Sequence, residues 1–237
     1  KGTYSKTLLY CAGTEQGELP NIDAFLREWG VLIGDGAVFE TNSNRVHNYH
    51  PFYTVADYAD TFFAEMVRSK SMPMLMPLSR PLKVLYEYRG NNTTDVLLEF
   101  AKSTGVRPSN APSDFVADDA TWVGPIPAMV MASKKIPDRS TGKTQFQSNI
   151  IVSGTAGMLD TYAIDNPSLM NAEYLLNIFN TLSERKNVIK VQSKSIVGKS
   201  LNITRHQADT IGIVFIIVLP MLILGIGVAV WLFRRHA

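Results

Sequence analysis

The sequence predicts an α/β fold with a mainly parallel sheet, followed by a C-terminal transmembrane helix. Short runs rich in Val, Ile, Leu and Tyr, at positions 7–11, 82–88, 128–133 and 149–153, read as strands buried on both faces. They alternate with stretches of helical spacing, the pattern of a layered α/β domain. Residues 211–233 then run without a charge, and a helix of that length reaches roughly 34 Å, enough to cross a hydrocarbon core.

Each element has its own signal. The first strand, 7–11, precedes a helix that starts near Pro20, carries Ile22, Phe25, Leu26 and Trp29 on one face and stops at Gly30. A second helix is predicted between Thr54 and Val67, where Val55, Tyr58, Ala59, Phe62, Phe63 and Met66 follow helical spacing, although its first turn reads equally as strand. A third opens at Asp95, which can cap it, carries Leu97, Leu98 and Phe100, and closes before Gly105. The last takes Asn166 and Pro167 as cap and first position, with Leu175, Leu176, Phe179 and Leu182 as its buried stripe. Residues 107–127 and 134–144 read as surface loops from their Pro, Ser, Asn, Asp and Gly. Alternation of Ile189, Val191, Ile196, Leu201 and Ile203 predicts a final strand and a short stalk.

The expected organisation is an extracytoplasmic α/β domain over 1–192, a stalk over 193–209, the transmembrane helix over 210–233 and a cytoplasmic tail over 234–237. The opening at Lys1, a few residues before an apolar strand, suggests the C-terminal part of a longer protein. Within the apolar segment Pro220 removes one backbone donor near the middle. Gly225 and Ala229 form a small-xxx-small pair that can seat a second helix. Trp231, Arg234 and Arg235 have the residue types of a membrane interface. Lys194, Lys199 and Arg205 precede the segment, so charge alone does not set its orientation.

Composition narrows the function. The 23 Lys and Arg against 21 Asp and Glu balance once Arg234 and Arg235 are set aside. A neutral body without a basic stripe argues against nucleic acid as a partner. The lone Cys11 makes no internal disulfide, and no metal or cofactor is expected. Gly142-Lys143-Thr144 has Pro137 where a phosphate loop needs glycine. His47 and His50 lack a third ligand at metal spacing and read as a solvated loop. Cys11 has no recognisable base among His47, His50, His206 and His236, and reads as a small buried residue. The sequons at 91–94 and 202–204 matter only in a eukaryotic secretory setting, which the sequence does not indicate.

The candidate ligand or partner surface is the loop after the strand 149–152: Ser153, Gly154, Thr155, Ala156 and Gly157, with Asp160 and Asp165 beyond. Ligands of open α/β sheets sit outside the carboxyl ends of strands, and small residues there allow close approach. Simple turn geometry accounts for both glycines equally well.

The ordered phrases KTLLYCAG, NIDAFLREWGV, SRPLKVL, GPIPAMVMASKK, SNIIVSGTAGMLD and NAEYLLNIFNTLSER, closing on WLFRR, resemble the Gld-type gliding-motility auxiliary family of bacterial ABC-transporter-associated membrane proteins. The resemblance covers nearly the whole chain. It implies a flavodoxin-like or glutamine-amidotransferase-like sheet on the extracytoplasmic side of the bacterial cytoplasmic membrane, beside an ABC permease and an ATPase. The family pattern carries no catalytic residue over to this sequence. The expected function is therefore that of a non-enzymatic accessory subunit in contact with the lipid bilayer and an envelope ligand. The alternative is a membrane-tethered hydrolase or amidotransferase-like enzyme using Cys11 or Ser153.

Overall fold

The computed structural model describes residues 5–65, 67, 72–138, 140–183 and 214–235. The chain divides into two compact units, Lys1–Lys190 and Val191–Ala237.

The strands of the first unit are β1 (Thr7–Cys11), β2 (Val31–Ile33), β3 (Ala37–Glu40), β4 (Tyr53–Tyr58), β5 (Met74–Pro77), β6 (Leu82–Val84), β7 (Tyr88–Arg89), β8 (Asn92–Phe100), β9 (Thr104–Arg107), β10 (Ile126–Pro137) and β11 (Thr144–Ser153). Its helices are α1 (Pro20–Glu28), α2 (Phe62–Glu65), α3 (Thr161–Ile164) and α4 (Asn171–Leu182). The main sheet has the order β1-β11-β10-β8-β4-β5, with β7 beside β8, and curls into a half-barrel. Two two-stranded ribbons, β2-β6 and β3-β9, complete the strands.

This corrects the expected mainly parallel, flavodoxin-like or amidotransferase-like sheet. Among the described pairings only β1 with β11 is parallel. For β7 with β8 and β10 with β11 the reason lies in the connections, because tight turns join only antiparallel neighbours. Of residues 134–144, expected as a loop, positions 134–137 are the end of β10 and Thr144 begins β11, the two strands pairing from Met129 opposite Ser153 to Pro137 opposite Thr144. The turn itself is held by the Asp138 carboxylate, which accepts from the Ser140 and Thr141 amides at 2.7 and 3.0 Å, and by Gly142 at φ +67°. The Gly-Lys-Thr letters therefore lie at a hairpin turn and its outgoing strand, with no helix behind them.

The helix expected from Asp95 is strand β8. Its Leu97 and Leu98 are both fully buried because a register shift at Met129 lets two successive side chains escape strict alternation. That mimics helical spacing in the sequence. The stretch 54–67 splits into β4, with Thr54 and Ala56 buried in alternation, and the short α2. Asn166 makes a local turn, its Oδ1 accepting from the Ser168 amide at 3.0 Å, and α4 starts five residues later. Its buried face is Asn171, Tyr174, Leu175, Asn177 and Ile178, while Leu176 is 59% exposed.

Helix α1 forms where expected, with Pro20 in its first turn and Gly30 at φ +88° ending it. It packs Leu26 and Ile22 against one face of the sheet, with Ala12, Val130 and Val152. Helix α4 covers the other face, packing Tyr174 and Ile178 on Met129, Ile151, Leu97 and Phe100.

In the second unit a π-type turn, Val214–Val218, leads into α5 (Leu219–Arg235), which has seventeen residues. Among the described residues no helix is long and apolar enough to cross a membrane, which corrects the expected transmembrane helix over 210–233. Pro220 is the reason for the shorter α-helix. It stands second in α5, where a missing amide hydrogen costs nothing, and the preceding turn has a different hydrogen-bond ladder. Gly225 and Ala229 lie within α5, and an added Cβ on Gly225 would meet nothing within 4 Å. Arg234 and Arg235 form its last turn rather than a separate tail, with the Arg235 guanidinium 5.2 Å from the Trp231 ring centre. The final strand and stalk expected over 189–204, and the residues Arg205, His206 and His236, lie outside the described residues.

Candidate functional site

The parallel pair β1-β11 gives the sheet one place where two strands end side by side pointing the same way. The loops that leave there, after Cys11 and after Ser153, face the end of β5. Between them lies a cavity of about 640 Å³, lined by Gly13, Thr14, Glu15, Asn48, Tyr53, Pro77, Leu78, Thr155, Ala156, Gly157, Asp160 and Tyr162. A smaller depression, lined by Asp35, Arg80 and Ser109, shares Thr14 with it.

Two of the loop's expected site residues serve as support. Ser153 is fully buried; its Oγ donates to the Thr155 carbonyl at 2.8 Å and accepts from the Thr155 amide at 3.2 Å. Gly154 lies in close backbone contact with the 79–80 segment, its carbonyl accepting from the Arg80 amide at 2.8 Å and its amide donating to the Ala128 carbonyl at 3.0 Å. Thr155, Gly157 and Asp160 do line the cavity. Thr155 Oγ1 donates to the Pro77 carbonyl at 2.5 Å and accepts from the Gly157 amide at 2.9 Å, so the β11 loop is tied to the end of β5. An added Cβ on Gly157 would press on the Pro77 ring, which explains that glycine by packing. Asp165 lies past α3 and does not line the cavity.

Asp160 stands at the start of α3, where an aspartate ordinarily caps, yet its side chain makes no capping bond. Its carboxylate and that of Glu15 have no hydrogen-bond or ion-pair partner among the described residues.

The aromatic side of the cavity comes from residues that sequence reasoning missed. Asn48 Nδ2 donates to the Tyr162 hydroxyl at 2.9 Å. The Tyr162 ring lies 5.2 Å from that of His47 and 6.0 Å from that of Tyr53. Asn48 and Tyr162 are 114 positions apart, and no local pattern announces the pairing. Glu15 carries a signal that sequence reasoning could have used, since it lies just beyond the carboxyl end of β1 as Thr155 lies beyond that of β11. Leu78, with φ +49°, completes the floor, a left-handed conformation that bulky residues rarely adopt and that is held by its amide donating to the Phe52 carbonyl at 2.8 Å.

Cys11 is half-buried against the main core, and no hydrogen bond reaches its sulfur among the described residues. Burial pushes its thiol up from the ordinary value of 9.0 to about 11. The thiol is therefore protonated at neutral pH and a poor nucleophile. The folded state holds that proton more tightly than the unfolded chain, so the associated stability is present below pH 9.0 and is lost as the pH rises through about 11. Cys11→Ala is expected to flatten the alkaline limb of a stability-against-pH curve; an unchanged slope between those pH values would show that other groups set it. His47 and His50 lie on the loop leading into β4, His50 with its ring 4.7 Å from that of Tyr53. Among the described residues no group of three or more His, Cys, Asp or Glu side chains is placed to hold a metal.

The fold and cavity define a mixed α/β domain with a ligand-sized depression at the carboxyl ends of its parallel strand pair. No family model matches the chain, and neither a curated protein nor a solved structure matches it.

Proposed function

We propose that this chain is a non-enzymatic binding subunit attached to a membrane. The observation that carries the reading is the 640 Å³ cavity, whose side chains offer unpaired carboxylates and aromatic rings but no nucleophile paired with a base. Its volume falls in the range of small-molecule sites. Ser153 Oγ is spent on backbone hydrogen bonds and the Cys11 thiol is held protonated, which favours binding over the hydrolase alternative. Attachment rests on the apolar C-terminal segment. Phe215, Ile216, Met221, Ile223, Leu224 and Val228 are each more than half exposed, as suits contact with lipid.

The resemblance to Gld-type auxiliary proteins supplies the finer form of the proposal. The sheet domain sits on the extracytoplasmic side of a bacterial cytoplasmic membrane, with a permease and an ATPase as partners and the ATPase as energy source. The test is purification of the full chain from its native membrane in mild detergent. Permease and ATPase subunits are expected to accompany it in constant ratio; recovery of the chain alone overturns the partner assignment.

A further inference from the structure

We infer that the cavity between the β1 and β11 loops takes an organic cation, an alkylammonium group. The inference rests on the binding reading above and names the ligand chemistry of the same site. The ionisable lining residues apart from tyrosine are Glu15 and Asp160, with no Lys or Arg among the residues that face the cavity. Both carboxylates lack a partner among the described residues, and Asp160 forgoes the capping bond its position offers. A depression of one sign with low-dielectric walls concentrates counter-charge.

The walls decide what kind of cation. Two carboxylates suit a metal ion poorly, since calcium and magnesium take six or more oxygen ligands and, among the described residues, no group of three or more His, Cys, Asp or Glu side chains is placed to hold one. Tyr53 and Tyr162 instead present aromatic surface, whose negative ring faces attract alkylammonium groups as well as their apolar substituents. The Tyr162 ring is fixed on two sides, by Asn48 at its hydroxyl and by the edge-on His47 ring, so it meets a ligand already in place. Pro77 and Leu78 add apolar floor beneath it. Charge and aromatic surface both fit one ligand class.

The experiment is calorimetric titration of the full chain in detergent with choline, with N-acetyl-lysine amide, and with 3,3-dimethylbutan-1-ol, the neutral isostere of choline. At least one cation is expected to bind about tenfold or more tightly than the neutral isostere. The Glu15→Gln, Asp160→Asn double variant is expected to lose about tenfold or more of that affinity, with an unchanged thermal transition because both side chains are exposed. The stronger of the two cations separates a quaternary headgroup from a lysine side chain as the source. Isostere binding equal to that of the cations, full affinity in the double variant, or no heat with either cation overturns the inference. Co-purification with transporter subunits that survives such a result leaves the broader binding role standing, so the two failures are distinguishable.

Discussion

Gly154→Ala is expected to lower the stability of the fold by about 3 kcal/mol or more. An added Cβ would stand under 3.0 Å from both the Arg80 carbonyl oxygen and the Ser79 Oγ. The first is backbone, and Ser79 is fully buried, so neither neighbour yields without moving the segment that joins β5 to β6. That movement would also stretch the bond from the Arg80 amide to the Gly154 carbonyl. Gly13 on the companion loop is the internal control. Its added Cβ would meet Gln16 Cβ at an ordinary 3.9 Å, and Gly13→Ala is expected to change stability by no more than about 0.5 kcal/mol. Denaturant unfolding of the two variants beside the parent chain measures both. Equal effects would mean that the close approach at Gly154 is not what demands glycine there.

Asn171→Leu is expected to cost about 4 kcal/mol, because a similar-sized apolar side chain leaves three buried backbone groups without partners. Asn171 is fully buried at the start of α4. Its Oδ1 accepts from the Leu75 amide at 3.0 Å, and its Nδ2 donates to the Leu75 carbonyl at 2.9 Å and the Met158 carbonyl at 3.1 Å. Leu75 lies in β5, the outermost strand of the curled sheet on that side. The amide therefore does for one residue what a neighbouring strand would do, and it closes an edge that would otherwise offer unpaired groups. Amide hydrogen exchange at Leu75 gives a local reading: protection is expected to fall sharply in Asn171→Leu. Retained protection would show that another group covers the edge.

The element signals that succeeded were local ones. Pro20 and Gly30 bracket α1 because proline at a helix start and glycine in a left-handed stop act through the backbone of their own turn. The run at the inner half of β11 is apolar because both faces are covered, and that too is visible from the residues alone. Asp95 failed as a helix start for the complementary reason. Its neighbours Leu97 and Leu98 are buried together by an irregular pairing with β10, and that pairing depends on a strand some thirty positions away. The candidate site divides along the same line. Thr155, Gly157 and Asp160 were legible as residues beyond a strand's carboxyl end, whereas Asn48, Tyr53 and Tyr162 reach the cavity only through distant chain crossings.

By itself the sequence determined where β1, the inner parts of β10 and β11, and α1 would form, that the body carries almost no net charge, and that residues 211–233 are uncharged. Tertiary structure alone decided strand direction, the split of 54–67, the start of α4 and the aromatic wall of the cavity. Propensity and capping act within a few residues, while sheet register and burial are settled by whichever distant segments pack together, and that information is spread over the whole chain.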